Sequence, residues 1–396
     1  MRGEVHCNSG TNSAAQVPLL EPPALPDSSS LTSASHCHKL YSSKCCVTAV
    51  ETGSKMPKRK WHELPGRNKY CCDGRIIMSR QTGVFYFTLG LILGTIALFF
   101  VFDGPFLWNI NFMIPVIAGL LLMLVLANLF RTSFSDPGVI PRAGVAEAAD
   151  IERAIATADG SHSTADGHYR APPRTREIVI NGQTIKLKYC FTCKVFRPPR
   201  TSHCSVCDNC IMNFDHHCPW VGNCVGLRNY RHFYFFILTL SFLCVYVFIC
   251  TVVHIVLLTQ KKESFLVAIQ ETPGSLVVVL VCFFSIWSVL GLSGFHTYLL
   301  TSNQTTNEDI KGTFSPKRNP NVRNPYTLGG IFSNCMGILC SPEPPSLIDR
   351  RGFVRPELAV AVPVSRDPSL GVNAADKSLQ LLTKSSSTEI SAYGSA

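Results

Sequence analysis

Four long apolar stretches, at residues 84–102, 112–130, 233–258 and 276–300, constrain the fold of this chain more than any other feature. None of them contains Asp, Glu, Lys or Arg. Each is about as long as the roughly 20 apolar residues that carry a helix across the hydrocarbon core of a bilayer. The 396 residues could otherwise hold two or three soluble domains, but a hydrophobic share of 46% is too high for that. The sequence therefore predicts an α-helical polytopic membrane protein with four transmembrane helices.

Basic residues are distributed unevenly around these stretches. Eight Lys and Arg residues lie in 55–80, before the first stretch, whereas 103–111, between the first and the second, contains none. Arginines also follow the second stretch and precede the third. Because basic loops stay in the cytosol, we expect both termini and the segment between the second and third helices to be cytosolic. The net charge of +10 fits contact with the anionic lipids of a bilayer better than contact with nucleic acid.

The segment at 190–224 contains seven cysteines and three histidines. A structural zinc site is tetrahedral, takes four Cys or His ligands and often has two residues between paired cysteines. Three pairs have this spacing: Cys190 with Cys193, Cys204 with Cys207, and Cys207 with Cys210. Cytosolic thiols stay reduced, so the cluster favours metal binding or catalysis over disulfides. Two zinc sites would use eight of the ten candidates, and a cysteine left beside a histidine suggests an activated thiol nucleophile.

Turn signals and composition divide the rest of the chain. Alternating apolar residues at 178–187 flank Asn181-Gly182, which predicts a β-hairpin with a type I′ turn. Asp136-Pro137-Gly138 predicts a turn. Residues 1–50 show no secretory signal. The predicted boundaries are a disordered tail at 1–55, a basic juxtamembrane segment at 56–82, transmembrane helices at 83–102, 112–130, 232–258 and 276–300, a cytosolic linker with the hairpin at 131–188, a cysteine-rich zinc domain at 189–231, a cytosolic C-terminal segment at 301–355 and a disordered tail at 356–396.

Asp215-His216-His217-Cys218 resembles the motif of the DHHC-type protein S-acyltransferases, or palmitoyltransferases, and the likeness covers most of residues 57–355. Thr305-Thr306-Asn307-Glu308 is similar to the TTxE motif of that family, and Asn334 fits the asparagine of its C-terminal motif. Residues 211–213 depart from the family pattern but include no implied ligand. Shorter segments resemble the Golgi subgroup that palmitoylates Ras proteins: Lys60-Trp61, Pro65-Gly66-Arg67-Asn68, Phe196-Arg197-Pro198-Pro199-Arg200, 303–312 and 346–352.

The resemblance implies a role for each of the ten candidates. The two structural Zn²⁺ ions are implied to be held by Cys190, Cys193, His203 and Cys210, and by Cys204, Cys207, His217 and Cys224. The remaining pair is Cys218, the implied nucleophile, and His216, its base. Asp215 is implied to orient the imidazole, in the arrangement of nucleophile, base and orienting group known from unrelated folds. Thr306 is implied to support Asp215 by a hydrogen bond.

The implied reaction is a two-step, ping-pong S-palmitoyl transfer. A long-chain acyl-CoA such as palmitoyl-CoA acylates Cys218, and cysteine thiols of membrane-associated proteins then take the acyl group. Burying a sixteen-carbon chain is worth on the order of 10 kcal/mol, so we expect the tail to lie between the helices with Cys218 at the cytosolic mouth of its cavity. The candidates for lining this cavity are Trp220, Phe236 and Leu243.

Further partners follow from residue type or from the subgroup likeness. The candidates for contacts with the CoA phosphates are Arg197, Arg200, Arg228 and Arg231, which could instead anchor at lipid head groups. The subgroup likeness implies a location in the Golgi or the endoplasmic reticulum, Ras-like GTPases as protein substrates and a small Golgi accessory subunit.

Two other classes of function compete with the enzyme. A transmembrane zinc-finger adaptor would use the cysteine-rich domain only to bind partners. A channel or transporter would need polar or charged residues within its spans, and the four stretches contain no Asp, Glu, Lys or Arg. Three features also have purely structural interpretations: residues 305–308 as a helix capping box, His254 and His296 as locally hydrogen-bonded side chains, and Gly291 and Gly294 as sites of close helix packing.

Overall fold

The computed structural model describes residues 57–159, 175–315, 317 and 322–354. Four helices in these segments are long and apolar enough to span a bilayer, which confirms the predicted membrane protein. The first span consists of α1 (Gly83–Leu98), a π-helical turn (Phe99–Asp103) and α2 (Gly104–Ile110). The others are α3 (Met113–Phe134), α5 (Tyr230–Lys262) and α7 (Pro273–Ser302), and the short helix α6 (Phe265–Glu271) lies between α5 and α7 in the chain. The tails predicted at 1–55 and 356–396 lie outside the described residues.

The first span continues past the predicted end at residue 102, because Asp103 does not break the helix. Its carboxylate is fully buried, and Oδ1 lies 2.7 Å from Nδ1 of His254 and accepts a hydrogen bond of 2.8 Å from Ser275. Pro105 follows in the first turn of α2, where a missing backbone N–H leaves no hydrogen bond unmade. His254 is therefore a hydrogen-bonded structural side chain, as its structural interpretation expects, but its partner lies in another helix.

The helix α5 lies at the centre of the bundle and packs against both α3 and α7. Its buried face includes Phe233, Ile237 and Val247. Phe284 and Trp287 of α7 are each 71% exposed. Outward-facing apolar side chains are expected where helices contact lipid, because lipid tails are as apolar as the side chains themselves.

Close helix packing occurs at a different glycine from the two predicted. No heavy atom outside the helix lies within 4 Å of the position that a Cβ of Gly291 or Gly294 would occupy. The expectation of tight packing there is wrong for the described part of the chain. A Cβ at Gly274, near the start of α7, would instead overlap the ring of Phe102 in the first span.

The segment between α3 and α5 is built from very short strands. After β3 (Val139–Ile140) and α4 (Val145–Asp159), the strands β4 (Thr175–Ile180) and β5 (Gln183–Cys190) form an antiparallel hairpin, and β6 (Val195–Phe196) pairs with β5. Asn181 and Gly182 have φ of 46° and 77°, which confirms the type I′ turn, since that turn needs positive φ at both central residues. The remaining strands are β7 (Ser202–Cys204) and β8 (Asn209–Ile211), which join β3 in a second sheet, and β9 (His216–Cys218) with β10 (Asn223–Val225) in a third. Before the bundle, β1 (Lys69–Cys71) pairs with β2 (Ile76–Met78).

The cysteine-rich domain is fixed directly to the helix ends. The predicted turn after α3 is present, because Oδ1 of Asp136 accepts hydrogen bonds from the amides of Gly138 and Val139. Oδ2 of Asp136 also forms an ion pair of 2.9 Å with Arg228, just before α5. The amide of Asn223 in β10 donates to the carbonyls of residues 77, 133 and 135 at 3.2, 3.0 and 2.9 Å. These contacts hold the domain at the end of the bundle where α3 stops and α5 starts.

The chain after α7 returns to the cysteine-rich domain. The short helix α8 (Thr306–Ile310) begins with a full capping box, in which Thr305 and Glu308 exchange side-chain to backbone hydrogen bonds at 3.2 and 3.0 Å. The helix α9 (Ile331–Leu339) packs on α7. Asn334 in α9 is buried and donates to the carbonyl of Thr301 at 2.8 Å. The predicted capping box is confirmed, and Asn334 fastens α9 to the end of α7.

Candidate functional site: a cysteine–histidine cluster at the end of the bundle

Two sets of four soft ligands are present in the cysteine-rich domain, and each contains three cysteines and one histidine. Within each set, the ligand atoms all lie within 4.8 Å of one another. The first set is Cys190, Cys193, His203 and Cys210, and the second is Cys204, Cys207, His217 and Cys224. These are the two sets that the resemblance implied. Among the described residues, neither set includes Cys218.

The spacing of the donor atoms fits zinc. Nδ1 of His203 lies 3.6 Å from the sulfurs of Cys190 and Cys193. Nδ1 of His217 lies 3.5 Å from the sulfurs of Cys207 and Cys224. Zinc bonds of about 2.0–2.3 Å at a tetrahedral angle place neighbouring S and N ligands roughly 3.5 Å apart. All four positions of each set are protein ligands, so both sets fit structural Zn²⁺ ions.

A carboxylate also contacts the histidine of the first set. Nε2 of His203, the nitrogen that faces away from the cysteines, lies 3.4 Å from Oδ1 of Asp208. Metal-binding histidines commonly donate their second N–H to a carboxylate, which fixes the tautomer of the ring. Arg142 holds Asp208 in turn, through an ion pair of 3.0 Å. The surroundings of the first set therefore also suit a metal ligand.

The strand β9 separates the metal ligand from the two residues of the implied catalytic pair. Successive side chains of a strand point to opposite faces, so His216 and Cys218 share one face while His217 takes the other. Pairing with β10 places His217 opposite Cys224, a ligand of the same set. The residues 216–218 therefore supply one ligand to the metal set and two side chains to a separate site.

Asp215 contacts His216, and Thr306 in turn holds Asp215. Nδ1 of His216 lies 2.7 Å from Oδ2 of Asp215, whose side chain is fully buried. The hydroxyl of Thr306 donates to the same oxygen at 2.7 Å, and the Thr306 amide donates to Oδ1 at 2.9 Å. The hydrogen bond implied between Thr306 and Asp215 is therefore present. The carboxylate accepts three hydrogen bonds, which leaves His216 little freedom to rotate.

Electrostatic shifts follow from these contacts. Burial opposes ionisation of Asp215, but the hydrogen bond and charge of His216 outweigh it and hold the pKa of the carboxyl below its usual range. Burial would likewise lower the pKa of His216, yet hydrogen bonds with Asp215 and Cys218 raise it to about 9. An imidazolium at neutral pH stabilises a neighbouring thiolate, which is the reactive form of cysteine. The arrangement can therefore activate Cys218.

An apolar cavity of about 350 Å³ runs from Cys218 into the helix bundle. It brings together the three candidates for an acyl-binding wall, Trp220, Phe236 and Leu243. Leu243 and Val247 line it deeper along α5, and Ile96 and Cys282 face it from α1 and α7. A long apolar chain attached to Cys218 would meet a lining that is almost wholly apolar.

The four arginine candidates lie in different surroundings. Arg200 is buried in a two-pronged ion pair with Glu308, at 2.9 and 2.8 Å, and also donates to Asn303. Arg228 pairs with Asp136 and Glu343 at 2.9 and 2.7 Å. Arg231 donates to the carbonyl of residue 341 at 2.9 Å. Both Arg200 and Arg228 therefore already have carboxylate partners.

Arg197 lines a second cavity, of about 540 Å³, between the β4–β5 hairpin and the segment after α7. The lining also contains Lys186, Lys188 and Lys311. Burial lowers the pKa of the Lys311 ammonium, and the charges of Lys188 and Arg197 add to this effect. The positive charges of these side chains repel one another, and an anionic ligand in the cavity would relieve that repulsion.

Three residues of the site were not predicted as parts of it. Asn223 is neither a cysteine nor a histidine, and the spacing of the cysteines does not single it out. Tyr230 and His296 belong to α5 and α7, and the Tyr230 hydroxyl lies 3.3 Å from Nδ1 of His296. A ring nitrogen of His296 also lies within 4.8 Å of donor atoms of Asp215 and His216. His296 is therefore hydrogen-bonded, as its structural interpretation expects, but to a partner in another helix; only its position inside a span could have marked it as a neighbour of the Asp215–His216 pair.

The fold and this site define a class: a four-helix membrane protein whose cysteine-rich domain carries two zinc-type ligand sets and one separate Asp–His–Cys group. Comparison with known proteins agrees with that class. The model of the DHHC palmitoyltransferase family matches residues 183–313. The chain is 57% identical to mouse (Mus musculus) palmitoyltransferase ZDHHC18 over 320 residues, which cover 80% of this chain and 82% of that protein. The chain therefore belongs to the DHHC palmitoyltransferase family.

Other relatives are longer. The chain is 60% identical to human (Homo sapiens) palmitoyltransferase ZDHHC14 over 316 residues, which cover 80% of this chain and 63% of the human protein. It is also 60% identical to zebrafish (Danio rerio) palmitoyltransferase ZDHHC18-A over 306 residues, 77% of this chain and 64% of the relative. The chain thus spans somewhat less than two thirds of the length of these two relatives.

Proposed function

We propose that the chain is a protein S-palmitoyltransferase that works through an S-acyl intermediate on Cys218. One observation carries this proposal. Cys218 lies outside both zinc-type sets, shares a face of β9 with His216 and lines the apolar cavity. A thiol kept away from metal, next to an imidazole and at the end of a cavity for an apolar chain, is suited to accept a fatty acyl group.

The proposed reaction has two balanced steps. The Cys218 thiol gives its proton to His216, and its sulfur attacks the thioester carbonyl of a long-chain acyl-CoA. The CoA thiolate leaves and recovers the proton from His216. A cysteine thiol of a protein substrate then gives its proton to His216 and attacks the carbonyl of acyl-Cys218, and the Cys218 thiolate that leaves recovers the proton from His216. Both steps exchange one thioester for another, so little driving force is needed.

Asp215 and Thr306 have a proposed orienting role. The carboxylate fixes Nδ1 of His216, so that Nε2 is the nitrogen left to serve the thiol. Thr306 fixes the carboxylate, and because α8 is connected to α7, the C-terminal segment becomes part of the site. Zn²⁺ ions bound to the two ligand sets would supply no step; through ligands such as His217 and Cys224 they would hold β9 and β10 in place.

The apolar cavity is the proposed site of the acyl tail. Each CH₂ group removed from water contributes about 0.8 kcal/mol, so a palmitoyl chain gains on the order of 10 kcal/mol from burial. Trp220, Phe236 and Leu243 are the proposed contacts. For the phosphates of CoA, Arg197 is the best supported of the four arginines, because it lines a basic cavity while Arg200 and Arg228 have carboxylate partners.

Orientation and biological setting are also proposals. Arg131, Arg142, Arg228 and Arg231 lie at the end of the bundle that carries the cysteine-rich domain, which supports a cytosolic site. The likeness to the Ras-palmitoylating subgroup supports a location in the Golgi or endoplasmic reticulum. The same likeness supports Ras-like GTPases as substrates and a small accessory subunit as partner.

The competing function is a zinc-finger adaptor without catalysis, and Cys218→Ser separates the two. The enzyme should lose hydroxylamine-sensitive labelling by a palmitoyl-CoA analogue while keeping two zinc ions per chain. Cys193→Ser is the matched control, because it should release zinc from the first set. An adaptor would show no labelling of Cys218 in the unaltered protein, and loss of zinc from Cys218→Ser would contradict the assignment of the metal ligands.

A further inference from the structure

His296 is a buried imidazole that the proposed reaction does not use. Its side chain is 1% exposed, in a helix that contains no Asp, Glu, Lys or Arg. Nδ1 lies 3.3 Å from the hydroxyl of Tyr230 in α5. A ring nitrogen also lies within 4.8 Å of a carboxylate oxygen of Asp215 and of a ring nitrogen of His216. The imidazole therefore connects the two central helices with the Asp215–His216 pair.

The rings of His216, Phe233 and His296 pack against one another. The ring centroids of His216 and Phe233 are 5.2 Å apart, and those of Phe233 and His296 are 5.0 Å apart, both edge to face. The two imidazoles are 5.9 Å apart. Asp215 holds one edge of the His216 ring, and these two rings limit its tilt, so the nitrogen that serves Cys218 has a defined direction.

The hydrogen bond between Tyr230 and Nδ1 of His296 fixes the direction of the His296 ring. A phenol and an imidazole nitrogen can each donate or accept, so this contact forms with either tautomer of the ring. A histidine at this position also offers a polar ring atom near the Asp215–His216 pair, which an apolar side chain would not.

We propose that His296 is a positioning residue for acyl transfer, which acts by fixing the His216 ring relative to Cys218. The inference rests on the proposed function, because the direction of the His216 ring matters for catalysis only if His216 takes the proton of Cys218. Phe233 lines the same apolar cavity as Cys218, so the three rings also lie where the proposed acyl chain would meet the reacting sulfur.

The chain offers a matched control on the same two helices. One turn further along, the hydroxyl of Tyr234 in α5 lies 3.1 Å from the hydroxyl of Thr297 in α7. Tyr234→Phe removes that contact between the helices without touching Asp215 or His216. If His296 served only to join the helices, its loss and the loss of this second contact would have comparable effects.

The readout is the rate at which iodoacetamide alkylates Cys218, measured by mass spectrometry on the zinc-loaded full chain in lipid nanodiscs. We expect His296→Leu to slow this reaction by about 10- to 100-fold, because small displacements of a reacting group can cost about 100-fold. His296→Gln, which can accept from Tyr230 and donate an N–H, should recover most of the rate. Tyr230→Phe should slow it less than His296→Leu, and Tyr234→Phe should leave it unchanged.

The acylation kinetics give the second readout. His296→Leu should lower the rate of Cys218 acylation at saturating palmitoyl-CoA and leave KM within about threefold, the pattern of an interaction used in the transition state. Unchanged alkylation, or equal slowing by His296→Leu and Tyr234→Phe, overturns the proposal. If His296→Leu loses zinc, the domain has misfolded, and Tyr230→Phe then tests the proposal instead. Its rates of alkylation and acylation should both fall below those of Tyr234→Phe, and equal rates overturn the proposal. Alkylation needs no acyl donor, so failure of the transferase assignment would be seen separately, as absent acylation of the unaltered chain.

Discussion

Arg200 provides the sharpest test of how the C-terminal segment is held at the site. Its guanidinium and the carboxylate of Glu308 form a two-pronged ion pair, and the side chains are only 9% and 8% exposed. Arg200→Ala would leave Glu308 buried without a counter-charge, which typically costs about 3–5 kcal/mol. A change of about 1.4 kcal/mol alters an equilibrium tenfold, so local opening of α8 should become roughly two to three orders of magnitude more frequent.

Hydrogen exchange measures that opening directly. The Thr306 amide is bonded to Asp215, and peptides that contain Thr306 report its exchange in the intact protein in nanodiscs. Lys186→Ala is the control, because the pair of Lys186 with Glu177 is exposed, with side chains 68% and 56% accessible, and contributes about 0–1 kcal/mol. Arg200→Lys should lie between the two, since lysine keeps the charge but not the planar fork.

The result also separates two roles of Arg200. If Arg200 mainly binds CoA phosphates, its replacement should raise the KM for palmitoyl-CoA and leave exchange of the Thr306 peptides at the wild-type rate. Equal exchange in Arg200→Ala and Lys186→Ala would refute the reasoning from the buried ion pair.

Three further predictions concern the cavity, the backbone and pH. Leu243→Trp should shift the acyl-CoA preference towards shorter chains and Leu243→Ala towards longer ones, measured by competition among acyl-CoAs; an unchanged profile would count against the cavity. Gly226→Ala places a Cβ within 3 Å of two backbone oxygens and should destabilise the domain by about 1–3 kcal/mol. The measurement is the temperature at which zinc is released, which should fall. Gly294→Ala is the control, because a Cβ there meets open space and should leave this temperature nearly unchanged. The raised pKa of His216, about 9, means that its pairing with Asp215 contributes stability fully below about pH 6.5 and loses it as pH rises through 9. The difference in zinc-release temperature between the wild type and Asp215→Asn should therefore shrink between pH 7 and pH 10; a constant difference would contradict it.

The spans, the hairpin turn and the capping box were predictable because each is encoded within a few consecutive residues. An apolar stretch of 20 residues predicts a helix wherever it lies, and Asn181-Gly182 predicts its turn from backbone preferences alone. The division of ligands between two zinc sets was different, since spacing left several pairings open, and the family resemblance was needed to choose one.

The contacts that position the site could not be predicted, because their partners are remote in the chain. Arg200 meets Glu308 across 108 positions, and His254 meets Asp103 across 151. The first predicted span ends before Asp103 because a carboxylate is costly in lipid, and only the folded bundle supplies the imidazole and hydroxyl that make its burial tolerable. Such choices depend on tertiary packing, which no local pattern records.

The alternation of side chains along β9 makes the order of its residues indispensable. Inserting or deleting one residue there would turn every following side chain to the opposite face. The sulfur of Cys218 would then approach the metal, and an imidazole would be left to face the fatty chain. The composition of the segment would hardly change, yet the protein would exchange its reactive thiol for an extra zinc ligand.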